Sequence, residues 1–515
     1  MNLSISTRPD SWRSTGLIIP VFADAVPLKE LTRFKGLSWL GQSSAFADLG
    51  TDPGAITLCH APRGNGKAAA PISRVVAVGL GKRKDCTMEI FRRAVTGAVR
   101  YCRERQIAAP GLCLPALEWL AEMLDLSEEV LLEESVLGVS LAAYEYDAFR
   151  SPGTGRGKKA PFVFSGLNLL AEKRLPTVFK SAISKAEGLA SGIYLARDLA
   201  NGPANAVTPN TMSDTARALA AKYGFECRVL GRAEMEKLGM GAILAVAKGS
   251  AQEPRFIVLE YTPAGRYRSP LIFVGKGITF DSGGISLKPS AGMERMKTDM
   301  AGAAAVLGVF EAIGRNPGLV KNRVIGLVPC TENMPGGNAT RPGDVITTMK
   351  GVTVEVVNTD AEGRLILCDA LAYAQKEWSP SAVVDIATLT GACVVALGKY
   401  AAGLFCDHTP LRNTLLTLGD STGDTCWHLP LWEKLRDGLK SETADTMNSG
   451  PREGGAISAA LFLKLFIEDG LPWAHIDMAA TGHSSKPTDT GPAGATGFGV
   501  RILYELAKEG VLKEK

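Results

Sequence analysis

Four short, continuous apolar runs, Phe256–Tyr261, Leu271–Val274, Val324–Pro329 and Val383–Thr388, are spaced among helical patterns at Ala303–Arg315, Leu365–Glu377 and Ala456–Glu468. A strand that is apolar at every position has to be covered on both faces. This alternation therefore predicts a largely parallel central sheet with helices on each side. Thr211–Tyr223 reads as a helix before it and Glu226–Leu230 as extended chain. Upstream, the β-type runs Leu17–Phe22, Ala55–Cys59, Val75–Gly79 and Pro161–Phe164 surround helical patterns from Met88 to Tyr101 and from Ala116 to Leu124. They predict a separate α/β unit. The helical stretch Pro176–Asn201 lies between the two and is stopped by Gly202-Pro203. A chain of 515 residues exceeds one usual core. The expected division is an N-terminal α/β domain over 1–172, a linking helix over 173–202 and a larger domain over 203–515.

Composition narrows the class. The chain is 46% hydrophobic and 21% charged, with a net charge of +4, which does not point to a dedicated nucleic-acid binder. It has no apolar run long enough to span a membrane. Met1 to Asp10 lacks the basic-then-apolar order of a signal peptide. The ten cysteines are scattered without a CxxC spacing, which predicts reduced thiols and a cytoplasmic protein.

The chemistry gathers at strand ends. Asn358-Thr359-Asp360-Ala361-Glu362-Gly363-Arg364-Leu365 follows a β-branched run, Val352–Val357, and precedes an amphipathic segment, so it reads as strand, turn, helix. Val274–Pro289 carries Lys276, Asp281 and Lys288 out of another strand end. Met296-Lys297-Thr298-Asp299-Met300 opens an alanine-rich helix. Four acids, Asp281, Asp299, Asp360 and Glu362, would balance two divalent cations. A lysine beside such cations either leaves or gives up its proton and becomes a ligand. Oxygen-rich ligation with one amine suits Mn²⁺ or Zn²⁺, and Mg²⁺ or Co²⁺ as well. No His or Cys falls in these motifs, which argues against a structural zinc cage. Taken singly, such residues are ordinarily solvated surface charges; their common place at the ends of apolar strands is what makes the set specific.

Two glycine-rich stretches are weaker. Gly79-Leu80-Gly81-Lys82-Arg83 lacks the spacing of a phosphate loop and reads as a turn at a strand end. Lys67 of Arg63-Gly64-Asn65-Gly66-Lys67 has no Ser or Thr after it.

The octapeptide Asn358–Leu365 resembles the signature of the leucyl aminopeptidase family, the cytosolic two-metal peptidases also called M17. Val274–Pro289, Met296–Met300, Glu332–Gly337 with Arg341–Asp344, Thr388–Ala392 and Gly494–Gly499 are similar to it as well. The resemblance implies a macro-domain-like N-terminal domain and a catalytic α/β domain, assembled as a hexamer. It implies release of N-terminal residues, preferably leucine and other apolar ones, from peptides by a two-metal hydroxide mechanism. Asp281 and Glu362 are then the bridging metal ligands, Lys276 and Asp299 complete the tighter site, and Asp360 completes the exchangeable one. Lys288 polarises the scissile carbonyl, and Arg364 holds a bicarbonate that serves as general base. Met296 and Thr388 line the pocket for the first side chain, and Leu389 and Gly391 offer backbone groups to the peptide.

Two other readings stand beside this one. A two-metal phosphoesterase would use the same acids. A DNA-binding role would use Arg92, Arg93, Arg100, Arg103 and Arg105, which a solvated helix face explains equally well.

Overall fold

The computed structural model describes residues 2–8, 12, 14–34, 36–42, 48–62, 72–151, 166–265, 269–488 and 491–511. Two α/β units emerge. One comprises Met1–Ala190 with Lys486–Pro492, the other Ser191–Ser485 with Ala493–Lys515.

The first unit holds a six-stranded sheet. Its order is Asn2–Ser6, Gly166–Leu170, Gly111–Cys113, Leu17–Val21, Arg74–Gly79, Ile56–His60. All pairs are parallel except the last. The fully apolar Leu17–Val21 runs through its middle, buried at every position. Helices Met88–Glu104 and Glu128–Ala143 pack on one another. The second was not foreseen: eleven of its sixteen residues are buried, so it lacks the polar face that marks a helix in sequence. Arg92 and Glu134 join the pair through two hydrogen bonds of 2.8 and 3.0 Å, both side chains buried.

The Gly79-Leu80-Gly81 stretch is a turn packed by its own chain. Gly81 N–H donates to Thr51 O at 2.7 Å and Gly54 N–H to Gly79 O at 2.9 Å. A Cβ on Gly79 would lie 2.3 Å from Asp52 O, so the 51–54 loop fills the space a phosphate would need. Arg63–Lys67 and the expected strand Pro161–Phe164 lie outside the described residues.

In the second unit the main sheet runs Cys426–His428, Ala402–Phe405, Trp473–Asp477, Ala382–Ala387, Leu271–Gly275, Val324–Asn333, Arg255–Tyr261, Glu226–Leu230. The four central strands are parallel, as their two-sided burial requires, and antiparallel pairs flank them. Helix Ala301–Arg315 lies with nearly every residue buried. Its second residue has to be glycine: a Cβ on Gly302 would stand 2.1 Å from Ile386 O.

Two expectations need correction. The helix after the octapeptide begins at Glu362, not Leu365, so Glu362 and Arg364 occupy its first turn. The β-branched run before it forms strand Thr353–Val356 in a separate sheet with Asp344–Thr347 and Thr446–Met447, not in the main one. A strand signal in sequence carries no information on which sheet receives it.

Removing one partner of a buried pair leaves a charge uncompensated, whereas removing both does not. Arg92→Met is expected to cost about 3–5 kcal/mol, and Arg92→Met with Glu134→Leu to recover most of that. Urea unfolding midpoints of the two variants check this; equal losses would contradict it.

Candidate metal centre

The carboxyl ends of the central strands supply the floor of the site. Lys276 stands between strands Leu271–Gly275 and Gly277–Asp281, and its backbone is held on both sides. Its N–H donates to Ile386 O at 3.1 Å, and its carbonyl accepts from Ala303 N–H at 2.9 Å. Its side chain passes directly over Gly363, where a Cβ would lie 2.6 Å from Lys276 Nζ. The octapeptide glycine thus makes room for the lysine.

Lys276 Nζ lies 2.8 Å from Asp299 Oδ2 and 2.9 Å from Glu362 Oε1, and donates to Thr388 O at 3.0 Å. Lys288 Nζ lies 2.8 Å from Asp281 Oδ2 and 2.5 Å from Asp360 Oδ1. The two lysines therefore stand between two pairs of acids. Asp281, Asp360 and Glu362 each offer an oxygen within 4.8 Å of the others'. Asp299 stands on the far side of Lys276 and accepts the Thr388 hydroxyl at 2.7 Å.

The charges perturb one another. Burial lifts the carboxyl pKa of Asp299, Glu362 and Asp360; the Glu362 carboxylate raises Asp299 further, and Asp281 raises all three. Burial opposes both lysine ammoniums. For Lys276, Asp299 and Glu362 outweigh it; for Lys288, Asp281 does so first. Both lysines stay charged. Burial brings Arg364 down to about 10, against the pull of Glu362 and Asp477, so it remains a cation at neutral pH.

These residues fit divalent cations. Among the described residues, Glu362 Oε2 is buried with no hydrogen-bond partner. Asp299 Oδ2 and Asp360 Oδ1 also lack an aligned hydrogen bond, although each lies within ion-pair reach of a lysine. Buried carboxylate oxygens are left unsatisfied only where something else meets them. Arg364 fits an anion: Nη1 donates to Asn448 O at 2.9 Å while its buried Nε has no partner among the described residues.

A cleft of about 560 Å³ opens over the acids. Every residue foreseen for the site lines it: the four acids and Lys276 at its floor, Lys288 and Arg364, and Met296, Thr388, Leu389 and Gly391 on its walls. A hollow of about 600 Å³ in the first unit is lined by Glu30, Glu118, Glu122, Glu128 and Glu129, none buried, and it has no comparable pairing of acids with lysines.

Two anchors escaped the sequence reading. The buried Asn448 accepts from Val357 and Asn358 N–H at 2.9 and 3.3 Å through Oδ1, and its Nδ2 donates to Asn358 O at 2.7 Å. Its own carbonyl holds Arg364. Asp477 accepts from Leu389 N–H at 3.1 Å and from the Thr390 hydroxyl at 2.6 Å, which fixes the loop carrying Thr388 and Leu389. Asp477 shows in sequence only as a polar residue at the end of the run Trp473–Ile476, and Asn448 only as the start of a polar, glycine-containing stretch, Asn448–Gly455, that reads as an ordinary loop.

The arginines considered for DNA are largely engaged. Arg92 is buried on Glu134, Arg103 pairs with Glu145 at 2.9 Å, and Arg100 donates to the carbonyls of Thr488 and Gly491.

The catalytic-domain model of the cytosol aminopeptidase family matches residues 194–504, and the family's N-terminal-domain model matches residues 21–153. The chain belongs to the cytosol aminopeptidase family. A probable cytosol aminopeptidase of Nitratidesulfovibrio vulgaris is 48% identical over 97% of both chains. One of Syntrophobacter fumaroxidans is 44% identical over 96% of both. Among solved structures, the bottromycin maturation enzyme BotP in complex with Mn is 34% identical with a TM-score of 0.82, covering 96% of this chain and 99% of that one. A mutant of tomato leucine aminopeptidase is 31% identical with a TM-score of 0.82, covering 99% and 97%. Membership of the cytosol aminopeptidase family makes the chain a hydrolase of the metal-dependent aminopeptidase class. Among the described residues no helix is long and apolar enough to cross a membrane.

Lys276 carries a proton that a ligand has to give up, and burial with mutual repulsion raises the carboxyl pKa of Asp299, Asp360 and Glu362, so cation uptake is expected to release protons. Apparent metal affinity should then rise with pH. Calorimetric titration of Mn²⁺ in buffers of different ionisation enthalpy measures the protons released; none released would contradict the reading.

Proposed function

We propose that this protein releases N-terminal amino acids, with leucine and other apolar residues preferred, from peptides. The observation that carries this is the floor of the cleft, where two lysines separate four acids beneath walls that include Met296, Leu389 and Val394. Two divalent cations per subunit, Mn²⁺ or Zn²⁺ foremost with Mg²⁺ and Co²⁺ as alternatives, would supply Lewis acidity and a water of lowered pKa when bound. In this reading Asp281 and Glu362 would help hold both cations, Lys276 and Asp299 one of them and Asp360 the other. Lys288 donates to the substrate carbonyl oxygen as charge grows there. Arg364 would hold a bicarbonate through its buried, unpartnered Nε, and that anion would supply a general base. Met296 and Thr388 receive the first side chain, and Leu389 and Gly391 meet the peptide backbone. A free α-amine would bind as a further ligand at the Lys276 and Asp299 position, and an internal residue has no such amine to offer. The working form is a cytoplasmic homo-oligomer, a hexamer.

Leucine p-nitroanilide is expected to be hydrolysed with Mn²⁺ or Zn²⁺, to resist hydrolysis once acetylated at its amine, and to stop turning over with a chelator. Full activity in protein shown by elemental analysis to be metal-free would refute the reading.

The two lysines should fail differently. Lys288→Ala is expected to keep both metals and lose about 10²–10³-fold in kcat, the usual cost of removing a donor to a developing oxyanion. Lys276→Ala should lose one metal. Arg364→Ala should keep both and no longer respond to added bicarbonate. Metal content and kcat for the three variants, with and without bicarbonate, decide the matter; a Lys276→Ala protein with both metals would overturn the assignment.

A further inference from the structure

The cleft contains one cation that the chemistry above leaves unused. Lys276 and Lys288 face acids, and Arg364 is tied to Asn448. Arg452 also lines the cleft, is exposed, and has neither an ion pair nor a side-chain hydrogen bond among the described residues. Its backbone is nevertheless well held. The loop from Asn448 to Arg452 starts at the buried Asn448 and its hydrogen bonds to the octapeptide. Near its other end Pro451 packs on Gly438, where an added Cβ would lie 2.7 Å from the proline Cδ. Ser449, Gly450 and Pro451 line the cleft between these two anchors. A guanidinium is thus presented to the cleft from a fixed wall.

The side of the cleft follows from chemistry. In the aminopeptidase reading Arg364 serves the leaving amine, so the leaving part of the peptide lies on Arg364's side. Asn448 O touches Arg364, so the 448–452 wall runs along that leaving part. Extended peptide advances about 3.3–3.6 Å per residue. A leaving portion of one or two residues therefore ends, in a free carboxylate, while still beside this wall. A longer peptide runs past it.

We infer that Arg452 recognises the C-terminal carboxylate of short substrates, which makes di- and tripeptides with free carboxyl ends the favoured substrate class. This deepens the aminopeptidase reading and rests on it. Guanidinium and carboxylate match as planar, charge-assisted partners. Because the arginine is exposed, the gain is that of a solvated pair rather than a buried one.

The test compares Leu-Gly with Leu-Gly amide on the metal-loaded, full-length enzyme, taking the ratio of their kcat/KM values within each protein so that differences in active fraction cancel. The unmutated enzyme is expected to favour the free acid. Arg452→Gln should lower that ratio by about five-fold. Arg452→Lys should keep part of the preference, Arg452→Glu should favour the amide, and added salt should shrink the unmutated enzyme's preference. Equal handling of acid and amide by the unmutated enzyme, or a ratio unmoved by Arg452→Gln and Arg452→Glu, overturns the inference while leaving the aminopeptidase reading intact. No turnover of either dipeptide or of leucine p-nitroanilide overturns both.

Discussion

Everything about the site depends on holding four carboxylates where water barely reaches. Asp281, Asp299 and Glu362 are buried, and Asp360 is partly so. An isolated ion at such depth is destabilising by several kcal/mol. The interleaved ammoniums of Lys276 and Lys288 relieve that cost, and the backbone is arranged to keep the acids from moving apart. Asn333 Nδ2 donates to Asp281 Oδ1 at 2.8 Å and to Thr359 O at 3.0 Å, so one amide joins the Asp281 strand end to the octapeptide. The Thr359 hydroxyl donates to Gly283 O and accepts from Ser286 N–H, which pins the loop leading to Lys288. Shifting one of these ties displaces acids from two elements together.

The surrounding fold carries this constraint outward. Asp385 and His475 face one another across parallel strands in register, bonded at 2.5 Å with both side chains wholly buried. Trp473 Nε1 donates to the other Asp385 oxygen at 2.8 Å. Two residues beyond His475, Asp477 emerges at the strand end and clasps the Leu389–Thr390 turn. Both Asp385 oxygens are engaged, while the buried His475 Nε2 has no hydrogen-bond partner among the described residues; this polar pairing inside an otherwise apolar sheet fits the register that brings Thr388 over Lys276. Helix Ala301–Arg315 is close enough to the strand ends for backbone contact only because Gly302 has no side chain. Register and close approach together place acids from distant parts of the chain within hydrogen-bond reach.

How much of this could be read in advance differs by scale. The parallel core was legible because strands such as Leu271–Gly275 are buried at every position and contain no polar break. The chemistry was legible because Lys276, Asp281, Asp360 and Glu362 stand where apolar runs stop. Helix Glu128–Ala143 was not, since a helix buried on most sides shows no amphipathic period. Strand Thr353–Val356 was recognised but not its sheet, because one partner, Asp344–Thr347, is a short strand with half-exposed polar positions and the other, Thr446–Met447, is only two residues long and lies some ninety positions away. Asn448 and Asp477 were missed for a related reason. An anchor acts through backbone groups of another segment, and backbone leaves no trace in a sequence.

The division between the two lysines follows from the same burial that makes the acids costly. Lys276 has 3% of its side chain exposed and meets only Asp299, Glu362 and the Thr388 carbonyl. Were cations to neutralise those carboxylates, its ammonium would have no anion to face and no water to turn to, and desolvation would favour the neutral amine. Lys288 keeps 20% of its side chain exposed and lies toward the mouth, between Asp281 and Asp360. When its acids are taken, it can remain charged by turning to solvent or to a substrate oxygen. A guanidinium in place of Lys276 could not make the change, because it does not lose its proton in proteins. The lysine at position 276 is thus a counter-ion to the acids as they stand, and on the proposed reading it would be a neutral donor once they hold cations.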